Sequence, residues 1–165
     1  MHRSSSLAAM TLAVVLGAAW AVGAAPAKSA SVDVFGYYYL RENEAPKGFQ
    51  DISELYLSTV DYRDGKEVRV PLNGFIRLKP KKGKGAESAV DFPLVAPTRK
   101  DRSLVFTTRE VGGVSYRFAG TFVKLGNFPE ERPEDEIILR GSLTRLRAGK
   151  VMAEGKVGFR YTGGD

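Results

Sequence analysis

Apolar residues recur at every second position along most of this chain, and no stretch carries a helical stripe of period 3.6. Between Glu67 and Lys79, Val68, Val70, Leu72, Ile76 and Leu78 fall on one face. Glu67, Arg69, Asn73, Arg77 and Lys79 fall on the other. Near the end, Val151, Ala153, Val157, Phe159 and Tyr161 alternate with Lys150, Glu154, Lys156 and Arg160. A sheet wetted on one face and buried on the other is antiparallel in habit. Pro71 cannot donate to a ladder, so it predicts an edge or a bulge inside its strand.

Turn residues punctuate the alternation. Arg63-Asp64-Gly65-Lys66 carries an Asp-Gly pair suited to a type I′ turn, Gly112-Gly113 separates Leu104–Val111 from Val114–Leu125, and Arg147-Ala148-Gly149-Lys150 separates Glu136–Leu146 from Val151–Thr162. Together with Val32–Arg41, Glu54–Tyr62, Glu67–Lys79 and a weaker Ala89–Val95, these segments predict eight strands, with one helical turn near Phe49–Ser53. Apolar-x-Gly-x-apolar recurs mid-strand at Gly74, Gly120 and Gly141. Glycine there marks a bend or close packing, and strongly curved sheets need both. The expected fold class is all-β: a single antiparallel eight-stranded meander, closed or curved into a barrel in preference to a β-sandwich.

The first residues differ from the rest. Arg3 precedes a Leu/Ala/Val run from Leu7 to Val22, which ends in Gly23-Ala24-Ala25-Pro26-Ala27. A basic start, an apolar middle and an Ala-x-Ala end predict a secretory signal peptide. Sixteen residues fall short of the roughly 20 that span a bilayer as a helix. Cleavage fits after Ala24 or Ala27. The second site gives a leader over 1–27 and a single all-β domain over 28–165, with no membrane-spanning helix once the leader is removed. The absence of cysteine excludes disulfides and lipid attachment at a cysteine, and directs the expectation to a bacterial periplasm or the medium.

Eight antiparallel strands in a meander behind a signal peptide resemble the lipocalin-type barrels in architecture. The Gly-x-Trp start of that family has no counterpart, Gly36-Tyr37-Tyr38 standing in its place. The resemblance implies a barrel able to hold one small molecule.

Chemistry is bounded mainly by subtraction. His2 and Trp20 are the only histidine and tryptophan, and both lie in the leader. Histidine-based nucleophilic catalysis and His/Cys zinc sites therefore lack their residues in the processed chain. Gly83-Lys84 is followed by Gly85, so no phosphate-binding P-loop is formed. Carboxylate pairs such as Asp61 with Glu154 remain as acid–base candidates. Glu130 to Glu136 is a dense acidic loop, but without a calcium-ligand spacing. No cofactor or metal is implied.

Two sets of residues are candidates for binding. The apolar faces offer Val70, Leu72, Phe118, Phe122, Leu139, Leu143, Val157 and Phe159 as the lining of a small apolar ligand's site. Lys79, Lys81, Lys82 and Lys84 form a basic run able to contact an anionic envelope component. No aromatic side chain interleaves these lysines, which argues against nucleic acid as a partner. The expected function is that of an exported, non-enzymatic β-barrel or sandwich binding a small apolar ligand or an envelope partner. A carboxylate-based enzyme and a purely structural interaction module are the alternatives.

Overall fold

The computed structural model describes residues 34–80, 89–128, 133 and 135–162. Eight antiparallel strands follow one another around a closed barrel: β1 (Gly36–Tyr39), β2 (Ile52–Arg63), β3 (Lys66–Leu78), β4 (Val90–Lys100), β5 (Ser103–Thr108), β6 (Val114–Phe122), β7 (Ile137–Arg147) and β8 (Lys150–Thr162). β1 closes the ring on β8 through Tyr37↔Thr162, Tyr38↔Tyr161 and Tyr39↔Arg160. The all-β meander expected from the alternation is present, and its closure is consistent with lipocalin-like architecture.

The turns take the geometry their residues dictate. Asp64 and Gly65 have φ of 52° and 72°, and Ala148 and Gly149 have 47° and 76°, the paired positive values of a type I′ hairpin. Gly112 and Gly113 do the same at 59° and 78°. The helical turn expected near Phe49–Ser53 is a pair of tight turns. Phe49 N donates to Pro46 O, and Ile52 N to Phe49 O, after which Ile52 begins β2. β4 runs beyond the expected Val95 to Lys100, because a register shift between Val95 and Thr98 absorbs Ala96-Pro97 without ending the strand.

The barrel interior is built of rings. Phe106 stacks on Phe118 with centroids 5.1 Å apart, and Phe118 meets Phe159 edge-on at 5.9 Å. Tyr38, Phe122, Phe128 and Tyr161 continue this core. The mid-strand glycines make room for it. Gly120 pairs directly with Gly141, and the Phe118 ring lies over both: a Cβ on Gly120 would stand 2.3 Å from Phe118 Cζ. At Gly74 the constraint is backbone, since φ is +154° and a Cβ would meet Tyr56 O at 1.9 Å.

Outward positions of the wall carry Arg117, Arg140 and Lys156, all exposed. No described helix is long and apolar enough to cross a membrane.

Candidate functional site

The wall opens between β3 and β4. Their pairing runs from Leu78↔Val90 to Phe75↔Pro93 and stops there. Beyond it, β3 bonds only to β2, and β4 only to β5. The register explains the parting. Between Ser58↔Asn73 and Val60↔Arg69, β3 carries two more residues than β2, and Pro71 sits in that bulge. A bulge bends and twists its strand. Ser58 supports this one: its buried hydroxyl donates to Val60 O at 2.7 Å and accepts from Val60 N at 2.9 Å. Asn73 Nδ2 donates to Pro71 O at 3.2 Å.

A cleft of about 600 Å³ opens where the strands part. Val60, Val70, Leu72, Leu94, Ala96 and Pro97 give it an apolar surface, and Asp61, Arg63 and Asn73 add polar groups. Leu72 and Leu94 also pack on the core, so the cleft is walled by the same hydrophobic body that fills the barrel. Pro71 and Pro97 line it from its two strands and offer no N–H, and Pro93 stands in the last β3–β4 pair. Such prolines deter another strand from pairing there.

The eight apolar residues marked by the alternation divide between two places. Val70 and Leu72 line the cleft. Phe118, Phe122, Leu139, Leu143, Val157 and Phe159 are buried and pack together in the filled interior. Val60, Leu94, Ala96 and Pro97 complete the cleft and were not expected. Their signal in the sequence is faint: a proline at 97 reads as the end of a strand, whereas here it lies within one.

Of the basic run, Lys79 reaches Glu42 at 3.1 Å, and Lys81, Lys82 and Lys84 lie outside the described residues. Asp61 and Glu154 do not meet. Asp61 binds Arg63 at 3.1 Å near the β2–β3 turn, whereas Glu154 pairs with Thr144 near the β7–β8 turn, at the other end of the barrel. Of the acidic loop, Pro133, Asp135 and Glu136 are described; Asp135 accepts from the Tyr39 hydroxyl at 2.7 Å and pairs with Arg41 at 2.8 Å, contacts that hold its carboxyl below the usual range.

The aromatic triplet of β1 resolves by face. Tyr38 points inward and donates to Val34 O, while Tyr37 lies outside against Tyr56 at 4.7 Å. Tyr56 in turn lies against Phe75 at 5.1 Å, and the Arg77 guanidinium covers Phe75 at 4.5 Å. Arg77 is itself held by Glu54 at 2.8 Å and Asp91 at 2.6 Å. With their faces turned to one another, these rings are cross-strand staples of the sheet and present little open face to a ligand.

No family model matches the sequence, and neither a curated protein nor a solved structure is found similar to it.

Proposed function

We propose that this chain is an exported, non-enzymatic binding protein that takes a small apolar ligand in the cleft between β3 and β4, with the filled barrel as its scaffold. The observation that carries this reading is the local end of β3–β4 pairing beside an open cleft of about 600 Å³, lined by apolar and polar groups in near-equal measure. Small-molecule sites commonly occupy about 300–1,000 Å³, and the cleft falls in that range. Pro71 and Pro97 favour a small molecule over an added partner strand, because such a strand needs N–H donors along the edge. The packed rings leave the interior to stability.

Export rests on the leader, and a processed barrel in water accords with an apolar interior and charged outward residues. A membrane-spanning barrel has the reverse polarity. An anionic envelope partner draws no support from Lys79, whose ammonium is taken by Glu42. Asp51, Glu54 and Asp91 are likewise engaged by arginines, which suits structure more than catalysis.

The test is titration with Nile red, an uncharged apolar dye, followed by its fluorescence. The wild type should bind and brighten it. Val70→Asp and Ala96→Asp should lose that binding while melting cooperatively, since aspartate tolerates the left-handed backbone of Ala96 (φ 42°). Unchanged dye binding in both variants would remove the cleft from the account.

A further inference from the structure

The wall formed by β5 to β8 presents a second surface, away from the cleft. Alternation sends Leu104, Phe106, Phe118, Leu139, Leu143 and Phe159 inward, and the residues between them face outward. The registers align these outward residues in three rows across the four strands. Ser103, Thr121, Arg140 and Gly158 form the first row, and Val105, Ala119, Ser142 and Lys156 the second. Thr107, Arg117, Thr144 and Glu154 form the third. No uncharged member is larger than valine, so the charged side chains stand above a low floor.

Three cations on this face, Arg117, Arg140 and Lys156, stand against one carboxylate, Glu154. None of the three is ion-paired among the described residues. Arg145 shows the contrast. It has the other parity on β7, lies over the buried Tyr116 ring at 5.1 Å and holds Asp51 at 2.5 Å. Lys156 is placed by its cross-strand neighbour: Nζ donates to Ser142 Oγ at 2.7 Å, and the ammonium keeps two further N–H donors. A hollow of about 420 Å³ opens at this edge of the face, flanked by Arg140 and Lys156 and floored by Ile137, Val157, Gly141 and Gly158. A Cβ on Gly158 would come to 3.2 Å from the Ile137 side chain, so the glycine keeps that floor low. Glu44 also reaches the hollow, but Arg160 Nη2 donates to both its oxygens at 2.9 Å.

Unpaired cations above a floor of hydroxyls, with no ring among them, define the partner. We propose that the outer face of β5–β8 binds an acidic polysaccharide, with one uronate carboxylate between Arg140 and Lys156 in the hollow and a further carboxylate at Arg117. A guanidinium matches a planar carboxylate through two parallel N–H bonds. Arg140 faces Thr121, and Arg117 lies four positions further along β6, which sets the two arginines roughly 14 Å apart at the backbone. That spacing suits charges repeated along a chain more than one small anion. Ser103, Thr107, Thr121 and Thr144 stand among the cations, and their hydroxyls both donate and accept, as sugar hydroxyls require. Nucleic acid is disfavoured because its bases call for aromatic platforms. A lipid surface is disfavoured because it calls for a large apolar face to enter the bilayer.

The experiment measures binding of the protein to polygalacturonate, to polyglutamate, which repeats the carboxylates without the sugars, and to phosphatidylglycerol vesicles. Polygalacturonate should bind about fivefold more tightly than polyglutamate, through the added hydroxyl contacts, and the vesicles should not displace it. Its affinity should fall as salt rises from about 0.01 to 0.15 M, because the contacts are exposed. Arg140→Gln and Arg117→Gln should each weaken it about fivefold, by loss of charge-assisted bonds. Glu154→Gln should tighten it about twofold, by loss of an exposed like charge. All three side chains are exposed, so these variants should melt like the wild type. Lys66→Gln makes the same charge change at the exposed β2–β3 turn and should bind like the wild type, which sets aside net charge as the cause. Val70→Asp should also bind like the wild type, which separates this face from the β3–β4 cleft. No binding of polygalacturonate, equal affinity for polyglutamate, its displacement by the vesicles, or an equal loss in Lys66→Gln would overturn the proposal.

Discussion

At the scale of the residue, the glycines show most directly how composition becomes shape. Gly120 and Gly141 have ordinary backbone angles; what they supply is volume, since the Phe118 ring occupies the space of both missing side chains. Gly120→Val should therefore cost about 1–3 kcal/mol as an overpacking change, read from a shifted denaturant midpoint. The upper end is expected, because a Cβ there also meets Arg140 O at 2.4 Å and backbone cannot step aside. Gly65→Ala meets nothing within 4 Å and should cost only the left-handed backbone penalty, about 1–2 kcal/mol. A Gly120→Val loss no larger than that of Gly65→Ala would contradict the packing role given to Gly120. Tyr116 gives a pH signature. Its pKa rises on folding from 10.0 to about 12, so the folded state holds the proton more tightly than the unfolded chain. The stability this confers is complete below about pH 10 and is lost as pH rises through about 12, at no more than about 1.4 kcal/mol per pH unit. Tyr116→Phe should match or slightly exceed the wild type at pH 8, because its hydroxyl has no partner to lose. It should also lack the wild type's decline between pH 10 and 12. Parallel pH profiles for the two proteins would show that the hydroxyl is not buried.

Among the elements, the hairpins were legible and the gap was not. Asp64-Gly65, Gly112-Gly113 and Ala148-Gly149 announce their turns because few other residues accept two successive positive φ values. Pro71 announced its bulge because it lacks an N–H. The parting of β3 from β4 depends instead on how far the bulged β2–β3 hairpin swings from its neighbour, a relation between residues 60 and 97 that no local pattern carries. Arg145 was legible in principle, since it continues the parity of Leu139 and Leu143. Its charge kept it out of a pattern that follows apolar residues. The prolines of the cleft carry a prediction of their own. Pro71→Thr with Pro97→Thr returns two donors to open strand edges, so the double variant should self-associate, measured by light scattering on a sizing column. A double variant that stays at the mass of the wild type would show that the edges are closed by something other than proline.

At the scale of the whole molecule, packed side chains fill the barrel interior, and the proposed binding lies at its margin. Six of the eight residues that the alternation offered as a ligand's lining pack against one another, while Val70 and Leu72 stand where the wall parts. The period-two pattern reports which face is buried; it does not report whether side chains or a guest do the burying. If the leader is removed on export, the processed chain loses Trp20, and its emission should be that of tyrosine alone. Indole emission from exported protein would show the leader retained. The central claim, binding at the cleft and not within the barrel, is tested most directly by heteronuclear NMR during titration with Nile red. The account predicts shifts at Val60, Val70, Leu72, Leu94 and Ala96 with Phe118, Leu143 and Phe159 unmoved. Shifts centred on Phe118, Leu143 and Phe159, with the cleft silent, would contradict it.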